Sequence, residues 1–160
     1  MEKTALNSQD ALIEAFGMMS QEDGEPRIAG RIHGLFLVSE QDRWTLSDIA
    51  DRLQVSRGSV STNLRLLESM GVLERSALPG DRQVYYTLTP DPYALMLERH
   101  ARQMRRIHAL VGEARDTLPA TQRRVQTRLS DMQEFFSRAI EGAEHLLTDW
   151  RNRHSQRKAS

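Results

Sequence analysis

Between Trp44 and Leu88 the spacing of apolar residues changes twice, and each change predicts a new element. Leu46, Ile49, Ala50 and Leu53 mark one helical face. Thr45 and Asp48 stand before it with capping-box spacing, a hydroxyl three residues ahead of a carboxylate. Gln54-Val55 breaks the pattern, and Ser56 is suited to cap a second helix. That helix carries Val60, Leu64, Leu67 and Met70 as its inward stripe, and Gly71 suits the left-handed position that ends it. Residues 72–75 and 84–88 then read as two strands around a Pro79-Gly80-Asp81-Arg82 turn.

The flanks read as helical. Residues 4–20 form an amphipathic candidate through Leu6, Leu12, Ile13, Phe16 and Met19. A polar break follows, and Pro26 opens a helix running to about Glu40 through Ile28, Ile32, Leu35 and Phe36. Gly30 and Gly34 lie inside it. Each costs about 1 kcal/mol against alanine, which predicts close backbone approach to a neighbouring helix. From Asp91-Pro92 onward Leu97, His100, Met104, Ile107, Val111 and Ala114 repeat at steps of three and four, until Leu118-Pro119 interrupts. Val125, Leu129, Met132, Phe136, Ala139, Ala143, Leu146 and Trp150 then continue the same spacing. This seam suits either packing between subunits or an intramolecular helical hairpin. The intersubunit reading is favoured, because one small domain offers too little apolar partner surface. Its dimerisation residues would be Leu12, Phe16, Met104, Ile107, Val111, Leu129, Met132, Phe136, Ala139, Ala143, Leu146 and Trp150.

The sequence thus predicts a mainly α protein with a small β-ribbon wing, a winged helix-turn-helix between N- and C-terminal dimerisation helices. Residues 1–24 form the first dimerisation helix, 25–90 the winged domain and 91–150 the C-terminal helical region. Residues 151–160 are basic, lack an apolar face and are expected to be frayed or disordered rather than to contact phosphate.

The chemistry of the second helix of the winged domain suits a DNA major groove. Ser56, Arg57, Ser59, Ser61, Thr62, Asn63 and Arg65 are assigned to its outward side, and Gly58 joins them in the candidate DNA-binding set. Short hydroxyl and amide side chains reach phosphates and base edges without holding the helix away. An arginine can bridge guanine O6 and N7, and Asn63 could pair with adenine. The helix N-terminus adds a positive dipole end. Gly80, Arg82 and Gln83 at the ribbon tip complete the candidate DNA-binding set, with Arg82 aimed at phosphate or a narrow minor groove. Asp81 would repel phosphate and reads as a positioning residue.

Composition tempers this picture without reversing it. The 160 residues carry 22 basic and 22 acidic side chains, so any DNA affinity must come from how the charges face. Residues 1–26 hold six acids against Lys3 alone, whereas the last ten hold four bases and no acid. With no cysteine, disulfides and thiolate metal sites are excluded. Five scattered histidines make no i,i+4 pair, so no metal or cofactor is expected. His100, on the apolar seam, would be a hydrogen-bonded core histidine. No phosphate-cradling glycine loop, nucleophile elbow or paired catalytic constellation is present, and an enzyme is not expected. The N-terminus lacks a basic, long-apolar leader and no run spans a bilayer, which predicts a soluble cytoplasmic protein.

SVSTNLRLLESMGVLER followed by GDRQVYY resembles the MarR-type winged helix regulators, and the preceding GEPRIAGRIHGLFLVSE is similar to their GbsR subgroup. The resemblance covers residues 25 to 90. It implies a dimeric DNA-binding repressor whose 56–70 helix reads DNA and whose wing around Asp81 and Arg82 grips the backbone, with a small molecule as effector. Many wings of the family carry two consecutive basic residues, whereas here Gln83 follows Arg82. The alternative is a non-enzymatic adaptor that holds a protein partner with its heptad helices and uses the winged domain as a scaffold.

Overall fold

The computed structural model describes residues 8–158, with side chains through His154; the expected contact of Leu6 lies outside them. The chain divides into two compact units, one ending at Pro92 and one beginning at Tyr93.

The first unit opens with α1 (Gln9–Glu22), capped where the Ser8 hydroxyl accepts from the Ala11 N–H at 3.2 Å. It packs on α2 (Arg27–Val38) through glycines. A Cβ at Gly30 would collide with the carbonyl oxygen of Phe16, and one at Gly34 would lie 3.0 Å from the Ile13 Cα. The close approach predicted for these two glycines is therefore present. Gly17 is its counterpart on α1, where a Cβ would meet the Arg31 side chain at 2.6 Å. Ile13, Ile32, Leu35 and Phe36 are buried, and the Phe16 ring stands edge-on to His33 with centroids 5.3 Å apart. Burial holds the His33 imidazole below its ordinary pKa.

Ion pairs rim this seam. Glu14 accepts from Arg27 at 2.8 Å and from Arg31 at 2.7 Å, and Asp10 meets Arg52 at 2.5 Å. The hydrogen bond from Arg27, helped by Arg31, keeps the Glu14 carboxyl below the usual carboxylate range.

Helices α3 (Leu46–Leu53) and α4 (Arg57–Met70) follow as the sequence predicts, with the capping box of Thr45 and Asp48 formed in both directions. Strands β2 (Leu73–Ala77) and β3 (Val84–Leu88) pair antiparallel. The predicted two-stranded ribbon is in fact three-stranded. Trp44–Thr45 forms β1 on the far edge of β3, with Trp44 opposite Tyr86 and Thr45 opposite Tyr85. A two-residue strand is too short for alternation to reveal it. Ile49, Leu53, Val60, Leu64, Leu67, Val72, Leu73 and Tyr86 close the core beneath.

The second unit is an antiparallel hairpin of α5 (Pro92–Thr117) and α6 (Arg123–Lys158). Arg151 meets Glu98, Arg105 meets Glu144 at 2.7 Å, and Arg115 donates to Gln133. The break falls at Leu118-Pro119, where the Gln126 amide donates to the carbonyls of Arg115 and Leu118 at 3.1 Å each. The heptad seam is consequently divided. Ala143 is buried with Leu147, Ala101 and Val111. Met132, Leu146 and Trp150 remain exposed beside Phe135, which is 67% exposed.

Two expectations are corrected here. His100 is exposed rather than a core histidine, its ring nitrogen 2.8 Å from the Met96 carbonyl oxygen. Residues 151–158 are helical rather than frayed or disordered. No glycine or proline interrupts 143–158, and the Trp150 ring lies 4.2 Å from that of His154, a contact that reaches into the segment. No helix among the described residues is long and apolar enough to cross a membrane.

Candidate nucleic-acid interface

The first turn of α4 is built by its cap. The Ser56 hydroxyl accepts from the Ser59 N–H at 3.1 Å and donates to the Ser59 hydroxyl at 2.9 Å. At the far end Gly71 adopts φ +77, the left-handed conformation that suits glycine, and its N–H returns to carbonyls of the last turn. Val60, Leu64 and Leu67 anchor the inward face. That anchoring leaves Ser56, Arg57, Gly58, Thr62 and Arg65 exposed, with Ser59 and Ser61 half-buried.

Asn63 is not on this face. It is 6% exposed, and its amide donates to the Ser59 carbonyl at 2.8 Å, so it does not reach an adenine from this conformation. The cause is rotational. Residue 63 follows Val60 by three and adjoins Leu64, which places it on the inward stripe despite its polarity. Thr62 donates to the Gly58 carbonyl at 3.1 Å, and Arg65 lies back on the Ser61 carbonyl at 3.3 Å. Arg57 lies on the first turn and is exposed.

Packing within the chain does not require the absence of a side chain at Gly58. A Cβ there would meet no atom within 4 Å, and its φ is helical. Alanine should therefore stabilise the fold by about 0.4–1 kcal/mol. If DNA backbone comes close at this turn, the same substitution should weaken duplex binding. Thermal unfolding and a binding titration on Gly58→Ala test both halves, and unchanged binding would mean that no partner approaches there.

The wing tip is held by Asp81. Pro79 and Gly80 (φ +83) form a turn of type II sign, closed by the Asp81 N–H donating to the Leu78 carbonyl at 3.0 Å. One Asp81 carboxylate oxygen accepts from the Gln83 N–H at 2.9 Å and the other from the Tyr85 phenol at 2.8 Å. The Gln83 amide, with the phenol, holds this carboxyl below its usual range, and the carboxylate raises the Tyr85 phenol in turn. Both oxygens thus brace the ribbon, and Gly80, Arg82 and Gln83 beside it are exposed. The part played by Tyr85 is not legible in the sequence, because a spacing of four residues marks contact on a helix and not across a turn into a strand.

The interface therefore combines a helix N-terminus fringed by hydroxyls, an exposed arginine on its first turn, and a second arginine on a braced ribbon.

Comparison with known proteins gives this arrangement its lineage. The family model described as the MarR family matches residues 29–85. The chain is 30% identical over 145 residues to the HTH-type transcriptional regulator MmpR5 of Mycobacterium tuberculosis, covering 91% of this chain and 86% of that protein. A solved structure described as the crystal structure of a transcriptional regulator aligns with a TM-score of 0.79 at 26% identity, covering 90% of this chain and 98% of that one. The chain belongs to the MarR family of winged helix transcriptional regulators.

Proposed function

We propose that this regulator is a cytoplasmic homodimeric repressor, bound to a pseudo-palindromic operator and released from it by a small molecule. The observation that carries the DNA contact is the exposed first turn of α4, with Arg57 among short hydroxyls, in the same unit as the exposed wing arginine Arg82. Two copies of α4 enter successive major grooves about 34 Å apart, and Arg82 meets the backbone beside them. Pairing of subunits is supported by the apolar row left exposed on the hairpin, with Phe135 at 67% and Leu146 at 56%. Leu12 and Phe16 of α1 are half-buried within their own unit, and the part of each that remains accessible joins this pairing. The similarity to the GbsR subgroup extends the reading to an effector that shifts the dimer helices, so that the α4 spacing no longer matches the operator.

Binding to random duplex DNA across a salt series, with a sedimentation mass, tests this reading. A dimer whose log affinity falls linearly with log salt is the expected result, and operator selection would follow. A dimer with no affinity at low salt would instead favour the adaptor, whose heptad helices hold a protein partner.

A further inference from the structure

The turn between α3 and α4 contains a residue in an uncommon conformation. Gln54 has φ +53 and ψ +48, left-handed without being glycine, so its surroundings must hold it there. The last turn of α3 holds the turn from one side: the Ala50 carbonyl receives the Val55 N–H at 3.1 Å, and the Gln54 side chain donates to the Asp51 carbonyl at 2.6 Å. The remaining support comes from α2. The Arg31 guanidinium donates through Nη2 to the Leu53 carbonyl at 3.0 Å and through Nε to Glu14 of α1 at 2.7 Å. Leu53 is the last residue of α3, and its carbonyl has no following helical turn to accept from. Ser56, the cap of α4, begins three residues later.

Arg31 is thus shared by three elements. Its side chain is 19% exposed, and the Gly17 backbone packs directly on its methylene stem. Its Nε and Nη2 donors are engaged within the chain, which aims this edge of the guanidinium at Glu14 and the turn.

We infer that Arg31 is a positioning residue for DNA recognition, held by Glu14 of α1 so that its bond to the Leu53 carbonyl fixes the α3–α4 turn and with it the angle of the recognition helix. The inference rests on the DNA-binding reading given above, and it adds a route by which displacement of α1 reaches α4. If α1 shifts on α2, Glu14 leaves Arg31, the guanidinium loses its second anchor, and the left-handed turn loses a support.

The test uses the full chain, a duplex selected from a random pool with the unmodified protein, and a random duplex of equal length. Arg31→Met keeps the stem and removes the donors. It should lower affinity for the selected duplex about tenfold, equivalent to about 1.4 kcal/mol, while random-duplex affinity and its salt slope stay unchanged. The Val55 amide should exchange faster with solvent in the free variant. Arg31→Lys, which retains one donor centre, should recover part of the loss, and Glu14→Gln should show a smaller loss in the same direction. These two also carry the test if Arg31→Met does not fold.

Equal losses on both duplexes with a salt slope reduced by about one would mean that Arg31 touches phosphate, and would overturn the assignment. Unchanged selected-duplex affinity with unchanged Val55 exchange would overturn it as well. Failure of the unmodified protein to bind either duplex would defeat the DNA-binding reading instead. Val55 exchange would then still decide whether Arg31 holds the turn.

Discussion

Alanine at Gly30 should destabilise the winged domain by about 3 kcal/mol, the upper end of what overpacking a core contact costs. The neighbour is the carbonyl of Phe16, part of the α1 backbone, so no side-chain rotation relieves the collision. The two helices must separate. Separation also pulls Glu14 from Arg27 and Arg31, and uncovers Ile13 and Ile32. For a chain of this size the midpoint of thermal unfolding should fall by roughly 6–12 °C. An unchanged midpoint would show that α1 and α2 do not approach this closely in solution. Gly58→Ala provides the contrast, because the same chemical change at an open position should raise the midpoint.

If Arg57 contacts a base, Arg57→Ala should weaken operator binding by about 1–3 kcal/mol, roughly five- to 150-fold, with the loss concentrated on sequences carrying that base. The expectation follows from its place on the first turn of α4, exposed and ahead of the inward stripe. Arg82→Ala should behave differently, weakening all duplexes to a similar degree and lowering the salt slope by about one, as loss of a phosphate contact does. Titrations against operator and random duplex at several salt concentrations separate the two patterns. If neither variant changes binding, the face assigned to DNA is wrong.

The fold was legible where chemistry and period agreed. The Thr45–Asp48 box, the Ser56 cap, Gly71 and the Leu118-Pro119 break all appear as read, because each uses contacts within a few residues along the chain. Gly30 and Gly34 also announced the helix pair, since a glycine inside an amphipathic helix asks for a close neighbour. What stayed hidden depended on distant partners or on helix rotation. Trp44–Thr45 is a strand only because Tyr85 and Tyr86 lie beside it. Asn63 looked like a base-reading amide by residue type, yet the turn of the helix carries it inward. Regular heptad spacing could not divide the C-terminal seam between a hairpin contact and an exposed row, because both need the same apolar period. Arg31 was unreadable for a similar reason, as its acceptors lie 17 residues before it and 22 after.

The ion pairs between α1 and the winged domain bear on how the protein searches a chromosome. Arg27 and Arg31 share the single carboxylate of Glu14 and Arg52 has Asp10, so two of these three positive charges are offset in the field felt by a distant phosphate. Long-range attraction to duplex of arbitrary sequence is reduced by those two charges. Occupancy of a regulatory site depends on the ratio of specific to bulk affinity rather than on either alone. A protein that lets go quickly of non-target sequence spends less of its population there, and fewer copies per cell then suffice to keep one site filled.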